Sequence, residues 1–382
     1  MTLRLAVVGL GQIGRAHAAR IQASAECCLA GLASPTTAAG PEASAFGAPL
    51  FADLGALLAA VRPDGVILAT PNALHLSGAL MCIAAGLPVL VEKPIADNLA
   101  NAQQLVDAAR RAGVPVLVGH HRRYSASLEA AQALIDSGRL GRLVAVTGSA
   151  TFVKPASYFA EALWRSQPGG GPMLINLVHE IDNLRALLRE QAGEIVAVQA
   201  MASNATRGGA VEDTAVINLR FASGLLGSFL LSDTAASPHS WEQTSGENTA
   251  YDHHADQDCY MVAGTQGSLQ VPSLRLYRYA DEASWWQPLK AETPVAAGLA
   301  TGAAAVDPLD RQLAHFCAVI RAEAPPRVSA ESALRTLQVT LAVAEAAHTG
   351  QLVQLPPALA QLPKSTNSHP QESRDARRSQ RP

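Results

Sequence analysis

Over the first 120 residues, short runs that are apolar at every position alternate with amphipathic stretches. Residues 3–9, 28–33, 66–69, 89–91 and 114–118 read as strands buried on both faces. Helical patterns fall between them at 12–24, 53–61, 73–85 and 97–112. Asp53 and Asp97 are the expected N-caps, and Gly86 and Gly113 the expected stops. Buried strands separated by helices predict a parallel sheet covered on both sides. Its crossovers are right-handed, which makes a doubly wound, Rossmann-type α/β domain.

Past residue 122 the rhythm changes. A helix is expected over 125–137. Strand patterns follow at 143–152, 194–202, 214–221, 225–232, 259–263, 268–271 and 274–279, interrupted by one helix over 174–188. Strands in succession predict a mainly antiparallel sheet in an α+β domain. Helices over 308–322 and 330–348 close the folded part. The expected division is a nucleotide-binding domain over 1–122, a substrate-binding and oligomerisation domain over 123–355, and a disordered tail over 356–382, which has little to bury. Residues 216–219 and 225–231 carry apolar residues on both alternating sets. A sheet face that this domain's few helices leave uncovered suits packing against a second copy, so a homodimer or homotetramer is expected.

Composition narrows the classes. A chain of 382 residues with 48% apolar and 16% charged positions builds cores and is long enough for two or three domains. The net charge of −3 lacks the basic excess of a nucleic-acid binder. Five cysteines without CxxC spacing suggest neither a disulfide framework nor a zinc site, so no metal is expected. No apolar run reaches the ~18 residues of a membrane span, and no signal-peptide pattern opens the chain. A reduced, cytoplasmic protein with a small-molecule substrate, no nucleic acid and no membrane is the expectation.

Three segments carry candidate chemistry. Gly9-Leu10-Gly11-Gln12-Ile13-Gly14 is a complete G-x-G-x-x-G between an expected strand and helix. Gly9 permits the turn, Gly11 the approach of a pyrophosphate, and Gly14 the close packing of helix on strand. The acidic residue expected ~20 residues later, to bind a ribose 2′-hydroxyl, is absent; Ser34 ends the second strand, and no Arg follows it. The choice between NAD and NADP stays open. Lys93, in Val89-Leu90-Val91-Glu92-Lys93-Pro94, sits at the ligand edge of the sheet. Desolvation there would lower its pKa towards proton transfer; the residue alone equally allows a solvated lysine. After Gly169-Gly170-Gly171, Asn176, His179 and Asn183 form a polar stripe on an otherwise apolar helix.

Together with Thr70-Pro71-Asn72-x-x-His75, Glu92-Lys93-Pro94 and the GGGPMLINLVHEID helix, the glycine loop resembles the Gfo/Idh/MocA family of NAD(P)-dependent oxidoreductases. The likeness covers residues 1–355. It implies a Rossmann domain followed by a domain with an open, mainly antiparallel sheet. It also implies hydride exchange between NAD(P) and a secondary alcohol of a sugar, cyclitol or related cyclic diol. On this resemblance Lys93 is the catalytic lysine and His179 the second catalytic residue, contacting the same substrate oxygen. Thr70, Pro71, Asn72, His75 and Glu92 belong to the cofactor loop. Many members carry Asp where Ile175 stands here, and Asn176 offers an amide one residue along.

Further substrate contacts are expected from Arg122 and Arg123, at the end of the last parallel strand, where two guanidiniums could grip a carboxylate. Arg123 could equally brace the domain junction. Tyr158, Trp164 and Arg165, just before the triple glycine, would wall the pocket. The long polar loop with His253, His254 and Asp256 makes poor chelate geometry. Beside the sugar or cyclitol reading stand two alternatives. One is a cis-dihydrodiol carboxylate dehydrogenase, motivated by the two arginines. The other is a non-catalytic nucleotide-binding sensor, motivated by Ile175.

Overall fold

The structure, a computed structural model, describes residues 1–35, 45–292 and 307–356. The tail expected over 356–382 lies outside them except for Pro356.

The first sheet holds β1 (Leu3–Val8), β2 (Cys27–Ala33), β3 (Leu50–Phe51), β4 (Gly65–Leu68), β5 (Val89–Val91) and β6 (Val116–Val118). Their spatial order is β3-β2-β1-β4-β5-β6 and every pair is parallel. All residues of β4, β5 and β6 are buried, as strands sandwiched between helices must be. The order reverses between β1 and β4, which opens the ligand crevice at their C-terminal ends. The helices are α1 (Gln12–Ala23), α2 (Leu54–Val61), α3 (His75–Ala84) and α4 (Leu99–Ala112). Asp53 caps α2 by accepting from Ala56 N at 2.8 Å. The cap of α4 is Asn98, not Asp97: Asn98 Oδ1 accepts from Asn101 N at 2.9 Å, while Asp97 takes the side-chain amides of Asn98 and Asn101. The amide one residue later meets the orphan N–H, so the helix starts there.

Four helices of the second unit follow: α5 (Ala126–Asp136), α6 (Ala156–Ala160), α7 (Val178–Ala192) and α8 (Trp241–Ser245). Its strands are β7 (Leu143–Thr151), β8 (Ile195–Ser203), β9 (Thr214–Phe221), β10 (Leu226–Ser232), β11 (Tyr260–Gly264), β12 (Gly267–Val271), β13 (Leu276–Tyr279), β14 (Leu289–Glu292) and β15 (Val353–Gln354). They order as β14-β13-β12-β11-β7-β10-β9-β8-β15. Only the β7–β10 pair is parallel; the other seven are antiparallel. The parallel pair arises because α7 crosses over between β7 and β8, which then run the same way. Strands β14 and β15 carry no pattern that the sequence reading recognised. All four residues of β14 are exposed and β15 is half-buried at best, as at sheet edges.

One face of this sheet packs on α7 and the turn before it, where Leu177, Ile181, Leu184 and Leu188 share a core with Val146, Ile217, Phe229 and Leu231. The opposite face is open and carries an apolar patch among polar residues such as Asn218 and Arg220. Met201, Val216 and Leu230 lie opposite one another across β8, β9 and β10, and all three are exposed.

Two late helices, α9 (Pro308–Ile320) and α10 (Ala330–Thr349), return to the first sheet. Leu313, Phe316 and Cys317 of α9 join Leu5, Val7 and Ile67. Along α10, Ala333, Leu334 and Leu337 enter the first sheet's core, while Val339, Val343 and Ala346 enter the second's. A single helix thus fastens the two sheets together.

Candidate active site

The glycine loop is built by close approach. Gly9 has φ +93°, and a Cβ on it would lie 2.5 Å from the Ala69 carbonyl oxygen. A Cβ on Gly14 would lie 1.9 Å from the Gly9 carbonyl oxygen. No side chain but hydrogen can stand at either place. At Gly11 nothing lies within 4 Å of a Cβ, so its backbone faces open space. Helix α1 starts at Gln12 and Ile13 without any side-chain cap, leaving its first N–H groups and their partial positive charge for a ligand.

From this loop a cavity of about 1120 Å³ runs to the second domain. Gly9, Gly11, Ser34, Thr70, Pro71, Asn72 and His75 line it, and so do Lys93 and, across the junction, Trp164 and Ile175. The Thr70 hydroxyl is buried and has no hydrogen-bond partner. An uncapped helix start, an unobstructed Gly11 and an orphaned hydroxyl on one cavity suit the diphosphate of a dinucleotide. His75 spans the loop ends, its two ring nitrogens at 2.8 Å from the Pro94 carbonyl and 2.9 Å from that of Thr70. Burial lowers its pKa. Arg15 of α1 also lines the cavity and donates to the Leu10 carbonyl at 3.0 Å. The fold therefore brings a cation to the cavity that Ser34 lines, where the reading of the segment after β2 found none.

Lys93 reaches across the domain junction, its Nζ donating to the Ile175 carbonyl at 3.3 Å. That carbonyl belongs to a π-helical turn, Met173–Leu177, which precedes α7 where a plain α-helix was expected. Such a turn shifts the helical register, so the i, i+3, i+7 stripe does not hold as a single face. Asn183 points into the core and donates to the Tyr260 hydroxyl at 2.9 Å. Desolvation pulls the Lys93 pKa down; the Glu92 charge opposes it, the Arg122 charge adds to it, and Glu242 opposes it again.

His179 is buried, and its Nδ1 has no partner. The rings of His121 and His120 stand edge-on to it, centroids at 5.4 and 6.2 Å. Burial, then the Lys93 and Arg122 charges, hold its pKa well below the usual range. A neutral imidazole results, able to pass a proton but not to carry a standing charge. Burial also pulls His121 down to about 4.

The two arginines are spent on the protein itself. Arg122 donates to Glu180 at 2.6 Å and to Glu242 at 2.7 Å, all within a tightly packed cluster. Its fork is closed to a substrate carboxylate. Arg123 lies 3.7 Å from Asp182, and its carbonyl accepts from Arg327, so it braces the junction. Neither residue lines the cavity described above, which removes the observation that motivated the dihydrodiol alternative.

Of the remaining expected contacts Trp164 lines the cavity, while Tyr158, Arg165 and Asn176 do not and are linked to one another and to Lys154. Arg165 stacks on the Tyr158 ring, its guanidinium carbon 3.9 Å from the centroid. Trp164 is 56% exposed and free to meet a ligand at the cavity rim. Asn176 Oδ1 accepts from Lys154 Nζ at 2.6 Å, and Lys154 also faces Asp233 at 3.5 Å. Desolvation pulls Lys154 down to about 8 despite the Asp233 charge. Arg15, Asp97, Leu174 and Val178 also line the cavity, and none of them is a site candidate in the sequence. Only the folded chain brings them together.

Comparison with known proteins follows the same outline. Residues 3–120 match the oxidoreductase family with an NAD-binding Rossmann fold, and residues 128–270 match the GFO/IDH/MocA C-terminal domain. The chain is 31% identical over 295 residues to a 1,5-anhydro-D-fructose reductase of Ensifer adhaerens, covering 76% of this chain and 80% of that protein. It is 34% identical over 195 residues to an inositol 2-dehydrogenase of Streptomyces avermitilis, covering 50% of this chain and 54% of that one. Among solved structures, the WlbA dehydrogenase of Bordetella pertussis, in complex with NADH and UDP-GlcNAcA, shares the fold. Its TM-score is 0.75 at 24% identity, over 93% of this chain and 99% of that one.

Proposed function

The chain belongs to the Gfo/Idh/MocA oxidoreductase family, and from that premise we propose that it moves a hydride between NAD(P) and a secondary alcohol of a sugar or cyclitol. The observation that carries the reading is one continuous cavity lined both by the glycine loop and by Lys93. Bound NAD(P) supplies the hydride acceptor or donor. Gly9, Gly11, Gly14 and the start of α1 would hold its diphosphate, with Gln12, Ile13, Thr70, Pro71, Asn72 and His75 around it and Ser34 towards the ribose.

The protein's own part is proton transfer and positioning. Neutral Lys93 Nζ takes the hydroxyl proton as the carbon is oxidised, and the ammonium returns it in reduction. His179 stands beside it as a neutral hydrogen-bond partner for the same oxygen. Trp164 of the cavity, with the linked Tyr158, Arg165 and Asn176, holds the ring of the substrate. The relatives' named substrates, an anhydro-sugar and an inositol, share a ring with adjacent hydroxyls. Turnover of NAD and of NADP should be assayed with cyclitols, pyranosides and a cis-dihydrodiol carboxylate. Turnover on the first two groups is expected. Nucleotide binding without turnover on any compound would favour the sensor reading.

Assembly and compartment complete the proposal. Met201, Val216 and Leu230, with Val144 and Leu226 also exposed, make an apolar patch on the sheet that a second copy would cover. A homodimer or dimer of dimers is expected by light scattering at micromolar concentration. Val216→Asp together with Leu230→Asp should yield monomers with the far-ultraviolet spectrum unchanged. A wild-type monomer mass would overturn the assembly. Among the described residues no helix is long and apolar enough to cross a membrane. A reducing, cytoplasmic setting is supported by the cysteines, all five of them unpaired.

A further inference from the structure

Behind Lys93 lies a buried pair that the proton-transfer reading does not use. His17 faces inward from α1 and is only 2% exposed. Its Nε2 lies 2.7 Å from Glu92 Oε1. The other carboxylate oxygen, Oε2, accepts from the Lys93 backbone N–H at 3.2 Å. The pocket for this carboxylate is shaped by the chain: a Cβ on Gly119 would lie 2.8 Å from three of its atoms. A buried carboxylate is costly unless it is hydrogen-bonded. Glu92 meets that condition through an imidazole on the helix that opens from the glycine loop.

We propose that His17 is a positioning residue that holds the Glu92 carboxylate behind Lys93, tying the reactive amine to the cofactor-binding helix. The inference rests on the reading of Lys93 as the proton-transfer group. Glu92 is the charge that acts most strongly on Lys93, favouring its ammonium form against desolvation. Burial would push Glu92 towards the neutral acid, but the His17 hydrogen bond and charge, with His121 and Lys93, hold its pKa below the usual value. Around the same amine stand Arg122, which disfavours the ammonium, and Glu242, which favours it. His179, His120 and Lys154 share its field. Among these groups only Glu92 is held by α1. His17 is five residues past the first residue of that helix, so any shift of α1 on nucleotide binding reaches Glu92 directly. The sequence carried a signal for it: a histidine on the face that also buries Ala18 and Ile21.

The sign follows from the charges. Without His17 the buried Glu92 is more readily protonated, and its support for the Lys93 ammonium fades. Lys93 then loses its proton at lower pH. The chain has only four lysines, Lys93, Lys154, Lys290 and Lys364, so the amine can be titrated without a substrate. Competitive labelling with acetic anhydride across pH, read by peptide mass spectrometry, gives the midpoint for Lys93. His17→Leu and Glu92→Gln are each expected to move that midpoint down by ~1 pH unit or more. The double variant should move it no further than Glu92→Gln alone, since both act through one carboxylate. Lys290, exposed on the edge strand β14, serves as the internal control and should not move. In the turnover assay the same variants should shift the acidic limb of kcat/KM for alcohol oxidation to lower pH. A midpoint that stays in place in a folded His17→Leu protein would overturn the proposal, as would additive shifts. A shifted midpoint in a protein with no turnover would leave the His17–Glu92 link standing and sink the hydride-transfer reading instead.

Discussion

Lys93→Ala is expected to lower kcat by about 10²–10⁴ and to leave nucleotide affinity nearly unchanged. Lys93 is one of many residues that line the cavity, and the diphosphate is assigned to the glycine loop and α1, so its loss removes proton transfer and little of the binding surface. Lys93→Arg should not restore activity, because a guanidinium keeps its proton near neutral pH. The pH dependence has a definite sign. Desolvation lowers the lysine's pKa, so oxidation, which needs the neutral amine, rises with pH and levels off below the ordinary lysine range. Reduction needs the ammonium and falls over the same interval. Steady-state kinetics in both directions checks both statements. An active Lys93→Ala enzyme sinks the assignment, and if only His179→Ala is dead, the proton belongs to the histidine.

Gly11→Val is expected to abolish nucleotide binding while the fold survives. The backbone at Gly11 has φ −67° and ψ −176°, a conformation open to any residue. Nothing stands within 4 Å of a Cβ there, so the new side chain fits the apo protein without strain. It occupies instead the space a diphosphate must enter. A loss of at least ~3 kcal/mol of binding, roughly 100-fold or more, should follow. Titration of NADH fluorescence measures it, and an unchanged thermal unfolding curve separates binding from folding. Wild-type affinity in this variant would mean that the dinucleotide lies elsewhere. At Gly9 the same substitution is no such test. The positive φ and the Ala69 carbonyl 2.5 Å from its Cβ would unfold the turn itself.

What the sequence determined by itself was local. Five of the six strands of the first sheet, α1 to α4, and the turn at Gly9–Gly14 are written in runs of neighbouring residues, because hydrophobic period, caps and glycines act over a few positions. Lys93 was legible for the same reason, as a lysine closing a buried strand. His179 was visible as the middle of the polar stripe Asn176, His179 and Asn183 on an otherwise apolar helix. The tertiary structure decided what lies across from what. The π turn that presents the Ile175 carbonyl to Lys93 has no signature in a helical pattern. Arg122 and Arg123 look alike in sequence as anion ligands. Glu180, Glu242 and Asp182 come from distant segments, and burial makes the arginines pair with them rather than with a ligand. His17 meets Glu92 across 75 positions. The return of α9 and α10 to the first sheet is likewise a matter of which apolar faces were left to cover. Pairings of this kind are fixed by the desolvation of charges and the closure of a shared core, which no stretch of chain holds alone.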